Sequence, residues 1–270
     1  MNIPEVRQLM ATYDIRPDKS KGQHFLLDES VVADMIEVAK VSKQDTVIEV
    51  GPGMGVLTSA LAQTAGQVDA YELDDKLADL IESQKVSNVE LIRGDVLSQR
   101  LPRQGTTLPY KVVANIPYSI SGALIRQLFT SLPAPQSVTI LIQREVAERI
   151  CAKPGQMSIL AVAVQLHGKP KIVRYVPGES FWPAPKVESA VLHVDVVDGL
   201  TLDVDEKAFM RLVKIGFSQK RKQLKNTLSS GFQLTPDEVE KLLIKADLKP
   251  SARAQELSLQ QWENLYRIIC

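Results

Sequence analysis

This chain has little with which to build a disulfide framework or a metal centre. Its two cysteines, Cys151 and Cys270, lie far apart and no CxxC occurs, so neither is suggested, no metal is expected, and the cytoplasm is the expected compartment. No unbroken apolar run is long enough to span a bilayer. The opening MNIPEVRQLMATYDIRPDKSKGQHF lacks the apolar core of a secretory signal and carries acids unlike a transit peptide, so no membrane partner is expected. Nothing suggests an obligate dimer, and a monomer is expected. Net charge is also missing: 32 basic side chains balance 32 acidic ones. That balance hides clustering, because residues 208–236 carry Arg211, Lys214, Lys220, Arg221, Lys222 and Lys225 without one acid. Arg16, Lys19 and Lys21 form a smaller basic group. A solitary charge run is usually a solvated face, so alone it does not establish a nucleic-acid partner.

What is present is an alternation. Short β-branched runs, TVIEV (46–50), QVDAYE (67–72), NVELIRGD (88–95), YKVVAN (110–115) and SVTILIQ (137–143), read as buried strands. Between and around them VVADMIEVAK (31–40), GVLTSALAQTA (55–65), DKLADLIESQK (75–85), SGALIRQLFTSL (121–132) and REVAERI (144–150) have helical spacing. The pattern predicts an α/β, Rossmann-like, mostly parallel sheet covered on both faces. KPKIVRYV (169–176) and KVESAVLHVDV (186–196) predict two close strands suited to an antiparallel edge. Beyond VVDGLTLDVDE (196–206) everything reads as helix, with Thr235 before Pro236-Asp237-Glu238 a strong helix start. A boundary near residue 200 is therefore expected, with a catalytic domain over 1–200 and a small all-α domain over 201–270.

EVGPGMG (49–55) follows a predicted strand and opens a predicted helix. Glycines there permit a tight turn and close approach of backbone to a ligand. A nicotinamide dinucleotide fingerprint needs a small residue five positions after Gly51, where this chain has Val56. Glu72 ends the next strand, 21 residues after Gly51, and suits a ribose; Asp95 ends the third and suits an adenine amino group. A nucleoside without a pyrophosphate fits Gly51, Gly53, Glu72 and Asp95 together, and S-adenosylmethionine is such a molecule. Taken singly, each acid is better explained as a surface residue or helix cap; taken in order with EVGPGMG, the cofactor reading is the better one.

One stretch is harder to explain as structure alone. VVANIPYSISG (112–122) ends a core strand with an amide, a proline and an aromatic in a row. A strand-ending turn accounts for Asn and Pro; a pocket for a flat, amide-like ring accounts for all three. With KGQHFLLD (21–28), EVGPGMGVLT, QREVAERI (143–150), FWPAPKVESAV (181–191), KRKQLKNTL (220–228) and ARAQELSLQQW (252–262), the chain resembles the rRNA adenine N6-dimethyltransferases (KsgA/RsmA-like), cousins of the erythromycin-resistance methylases. The resemblance runs over nearly the whole chain.

It implies a class I S-adenosylmethionine-dependent methyltransferase fold and dimethylation of adjacent adenines near the 3′ end of 16S rRNA in the immature small subunit. By resemblance Asn115 and the Ile116 carbonyl grip the adenine amine, Pro117 stiffens the turn, and Tyr118 and Phe181 stack on the base. His24, Leu26 and Asn115 join the cofactor set, with His24 standing where the family usually has Asn. Lys186, Lys220, Arg221 and Lys222 are the expected RNA contacts. No nucleophilic Cys or general-base His is required, which suits a chain with three histidines. A large-subunit resistance methylase and a non-catalytic RNA-binding assembly factor remain alternatives.

Overall fold

The computed structural model describes residues 1–18, 22–219 and 222–270. In chain order its elements are α1 (Ile3–Thr12), β1 (Phe25–Leu26), α2 (Glu29–Val38), β2 (Thr46–Val50), α3 (Val56–Thr64), β3 (Gln67–Glu72), α4 (Asp75–Ser83), β4 (Val89–Arg93), β5 (Tyr110–Asn115), α5 (Ser121–Thr130), β6 (Ser137–Gln143), α6 (Arg144–Ile150), α7 (Ile159–His167), β7 (Gly168–Val176), β8 (Phe181–Trp182), β9 (Ser189–Val196), α8 (Glu206–Gly216), α9 (Leu224–Phe232), α10 (Pro236–Lys245) and α11 (Leu259–Ile269).

Seven strands form one sheet in the order β4-β3-β2-β5-β6-β9-β7. The first five are parallel, and β9 runs antiparallel to β6 from Ser137↔Asp195 to Gln143↔Ser189. All five residues of β2 are buried, as a strand covered on both faces requires. One face packs Val47, Val68, Val113, Leu141 and Val191 beneath Val31, Met35, Leu57 and Leu61 of α2 and α3. From β2 the chain winds outward through β3 and β4, then returns to the other side of β2 as β5. The crevice between β2 and β5 is thus the point where strand order reverses, the usual ligand position in such sheets.

Four elements escape the sequence pattern, α1, β1, β8 and α7. α1 is opened by a capping box between Asn2 and Glu5 and carries Val6 and Met10 into a cluster with Phe25, Met54 and Leu77. β1 and β8 are two residues each and pair antiparallel, Phe25 with Trp182 and Leu26 with Phe181. Strands that short carry no readable period.

The described residues divide into two compact units, one of residues 1–147 and 171–196, the other of 148–170 and 197–270. The second unit therefore takes in a segment that the expected boundary near 200 assigns to the first. The reason is α7, where no element is predicted. ILAVAVQLH is apolar almost all round, so it shows no amphipathic stripe, yet Ser158 caps it by accepting from the Ala161 N–H. Its Ala161, Val162 and Leu166 belong to the helical unit's core with Phe209, Leu212, Leu228, Leu243 and Trp262. α10 starts as expected: Thr235 Oγ1 accepts from the Glu238 N–H, and the Glu238 carboxylate accepts from the Thr235 N–H at 2.8 Å.

Candidate active site

The end of β2 and the start of α3 are joined by Gly51 to Gly55. Gly51 and Gly53 have φ of +70° and +56°, in the left-handed region. A Cβ on Gly51 would lie 3.3 Å from Pro117 Cδ, and one on Gly53 3.0 Å from Phe25 Cδ1. These two glycines therefore let the β2 loop close against the catalytic turn on one side and the N-terminal segment on the other. The Glu72 carboxylate holds the loop from β3, accepting from the Gly53 N–H at 3.2 Å and the Asp74 N–H at 3.0 Å. Burial raises its pKa, while those backbone donors oppose the rise. An ionised carboxylate offers about four lone-pair directions, so two remain for a ligand's hydroxyls.

Around this loop lies a cleft whose walls include His24, Leu26, Gly51, Gly53, Glu72, Asn115, Ile116, Pro117 and Tyr118. Nine of the residues expected from sequence thus converge. An adjoining cleft shares Gly51, Glu72 and Pro117 and adds Asp95, Leu73 and Val96. Asp95 is exposed there, and its Oδ1 already caps the short turn Val96–Ser98 by accepting from the Leu97 N–H at 2.9 Å.

The structure also brings in residues that spacing does not mark. Glu49, on β2, is 1% exposed and lines the first cleft. Among the described residues its Oε2 has no hydrogen-bond partner. Burial, with the Glu72 carboxylate adding like charge, pushes its pKa up to about 8. An orphaned acid facing a cleft fits a cationic occupant. Leu73, 58% exposed, gives the second cleft an apolar wall. The only sequence signals for these two are their places beside Gly51 and Glu72.

The acceptor side is assembled from three distant segments. Asn115 Nδ2 donates to the His24 carbonyl at 3.3 Å, which leaves Oδ1 as the acceptor presented by that amide. His24 Nδ1 donates to the Pro183 carbonyl at 2.7 Å, fixing the ring to the FWPAP segment. The Tyr118 hydroxyl shares a 2.5 Å hydrogen bond with Ser189 Oγ, and its ring lies 5.4 Å from that of His24, tilted by 35°. Burial raises the Tyr118 pKa, with the Ser189 bond acting against it, so the phenol stays neutral.

Two expectations fare differently. Phe181 is 3% exposed, packed with Leu26, Val31 and Val176, and absent from both cleft walls. The β1–β8 pairing turns its ring into the core, so in this structure it supports the wall and does not offer a stacking face. Of the four expected RNA contacts, Lys186 is exposed in the first unit and Lys222 in the second; Lys220 and Arg221 lie outside the described residues, as do Lys19 and Lys21. Lys225 lies 3.3 Å from Glu240. Among the described residues no group of His, Cys, Asp and Glu is arranged to hold a metal ion, and no helix is long and apolar enough to cross a membrane.

Similarity to known proteins agrees with this geometry. Ribosomal RNA small subunit methyltransferase A of Dehalococcoides mccartyi is 39% identical over 97% of this chain and 92% of its own length. The protein of that name from Streptococcus pyogenes is 36% identical over 92% and 90%. Among solved structures, a dimethyladenosine transferase from Plasmodium falciparum superposes with a TM-score of 0.77 at 25% identity, covering 90% of this chain and 96% of that one. The 23S rRNA methyltransferase ErmE gives 0.74 at 28%, covering 91% and 99%. The sequence matches the Ribosomal RNA adenine dimethylase family over residues 16–270, and the chain belongs to that family.

Proposed function

We propose that this chain dimethylates the N6 amines of adjacent adenines in small-subunit rRNA, using S-adenosylmethionine, and that it does so as a monomer on an assembling subunit in the cytoplasm. The names of both curated relatives support the small-subunit target. The observation that carries the reading is the Asn115 amide, turned by the His24 carbonyl so that its oxygen is the atom left to accept.

The residues around the clefts fit the donor. Gly51 and Gly53 let the loop that lines the cleft close against Pro117 and Phe25, Glu72 and Asp95 present acceptors to its nucleoside, and Glu49 offers a buried acid to its positive charge. S-adenosylmethionine supplies an electrophilic methyl group on sulfur. Val56, at the first position of α3, lines the same cleft, where a dinucleotide's pyrophosphate would need a small residue.

Adenine N6 is a poor nucleophile because its lone pair is conjugated with the ring. Acceptance of its two N–H groups by Asn115 Oδ1 and the Ile116 carbonyl favours a pyramidal nitrogen and frees that lone pair. Pro117 fixes the turn that holds both acceptors. Tyr118, anchored through Ser189, offers a ring edge or face to the flipped base. No side chain has to form a covalent bond, so catalysis rests on orientation and electrostatic fit.

Asn115→Ala tests this with immature small subunits and isotopically labelled donor. The expected result is normal RNA binding with transfer reduced by roughly 10²–10³-fold, the scale for removing one preorganised polar contact to a reacting centre. Full activity in that variant would overturn the assignment. Mapping dimethyladenine in rRNA from a strain lacking the protein distinguishes a small-subunit from a large-subunit target.

A further inference from the structure

Beside the candidate active site stands a second group of residues that the proposed chemistry does not use. Arg144 opens α6, directly after Gln143 of β6. Its Cζ lies 4.7 Å from the centroid of the Tyr175 ring on β7. Its Nη1 is 2.6 Å from Glu188 Oε2, and its backbone N–H donates to the Glu188 carbonyl at 2.9 Å. Both Arg144 and Tyr175 are about half exposed, at 47% each.

The position of this group matters more than its existence. Glu188 immediately precedes Ser189, and Ser189 holds the Tyr118 hydroxyl. Successive residues of an extended strand are about 3.3 Å apart and point to opposite faces. One residue therefore separates the buried contact that anchors Tyr118 from the exposed contact that anchors Arg144. The Arg144–Tyr175 pair sits at the rim of the end of the sheet where Asn115 and Tyr118 emerge.

We infer that the Arg144–Tyr175 pair is a stacking platform for the base of a nucleotide flanking the target adenine. A guanidinium plane and an aromatic ring are the two protein surfaces on which an unpaired RNA base stacks. Glu188 fixes the guanidinium in place and offsets its charge, which favours a flat base over a phosphate as its partner. Phosphates have other cations nearby: Lys171 lies on the same exposed face of β7 as Tyr175, and Lys186 lies two residues before Glu188, both exposed. A base taken out of the stack for methylation leaves its neighbours unstacked, and a platform at the rim takes up one of them. This rests on the proposed RNA substrate and adds a recognition element to it.

The test uses the full chain and small subunits reconstituted from rRNA that carries an abasic nucleotide at single positions on either side of the methylated adenines. For the wild-type protein, one abasic position raises KM about tenfold, the scale of one lost stacking contact, with kcat little changed. Tyr175→Ala raises KM similarly on intact rRNA and becomes insensitive to that abasic position. Tyr175→Phe restores wild-type behaviour. Tyr175→Leu, which keeps apolar bulk, does not; rescue by Leu would mean packing alone and overturn the inference. So would an unchanged KM in Tyr175→Ala, or equal sensitivity of wild type and Tyr175→Ala at every abasic position. If instead the wild-type protein methylates no adenine in intact subunits, the proposed function fails first and independently.

Discussion

The donor side and the acceptor side of the site meet at Gly51 and Pro117 but are made in different ways. On the donor side each residue lies within two positions of the end of a parallel strand: Glu49 near the end of β2 and Gly51 just after it, Glu72 as the last residue of β3, and Asp95 two residues after β4. Their positions follow from strand register, and backbone bonds such as Gly53 N–H to Glu72 hold them. On the acceptor side Asn115 and Tyr118 also follow a strand, but their orientation comes from His24 and Ser189, 91 and 71 residues away in sequence. The first side is rigid because the sheet is rigid. The second is only as rigid as its cross-links, so perturbations of the two sides should look different.

The largest effect is expected from Glu49 and belongs to the donor side alone. Its pKa is near 8 in the folded protein against 4.5 for an ordinary glutamate. Between those values the folded state holds a proton that the unfolded chain has released. Without ligand, the contribution of Glu49 to stability is therefore fully present below about 4.5 and is lost as pH rises toward 8. The slope approaches about 1.4 kcal/mol per pH unit. Denaturant titrations of Glu49→Gln should lack this slope, and saturating S-adenosylmethionine should flatten it in the wild type by favouring the ionised form. A wild-type protein with the same pH dependence as Glu49→Gln over that window would show that Glu49 is ionised without a ligand.

Glu72→Ala comes next. It removes a charged acceptor from the ligand and two bonds from the loop, and charged hydrogen bonds contribute about 1.5–3 kcal/mol each. Donor affinity measured by calorimetry should fall by about 10- to 100-fold, while RNA binding stays unchanged. Equal losses in both would mean that the two sides are mechanically one.

Legibility follows the same divide. β2, β3, β5 and β6 match their predicted spans because a strand buried on both faces is a continuous apolar run with abrupt polar ends. Gly51 and Glu72 are readable for that reason, lying at the ends of such runs, and Gly53 and Asp95 follow within three residues of a strand end. Tyr118 is readable as a motif member, but its bond to Ser189 is not, since that bond depends on β9 running antiparallel to β6. The burial of Phe181 is hidden for the same cause: the two-residue pairing of β1 with β8, which no periodicity announces, decides which way its ring faces. α7 is hidden by excess, an apolar helix without a polar face.

The cross-links of the acceptor side, as distinct from Asn115 itself, should respond more mildly, through geometry. Tyr118→Phe keeps the ring but leaves Ser189 Oγ buried without its partner, a cost of about 1–3 kcal/mol in stability. Adding Ser189→Ala removes the orphaned group, so the double variant should be more stable than Tyr118→Phe alone. Additive losses in thermal unfolding would mean that the pair is not a coupled unit.

The smallest change is expected at His24, and its smallness is informative. The residue contributes two things: a backbone carbonyl that orients Asn115, which no substitution removes, and a ring N–H that ties the N-terminal segment to Pro183. Asparagine keeps a side-chain N–H of similar reach. His24→Asn should therefore alter kcat/KM by less than about threefold, below the roughly 1 kcal/mol of one neutral hydrogen bond. His24→Ala loses the tie to Pro183 while keeping the carbonyl, and should raise KM for RNA several-fold at most. A His24→Ala loss as large as that of Asn115→Ala would mean that the side chain, and not the main chain, sets the Asn115 amide, and that the acceptor side depends on a single contact.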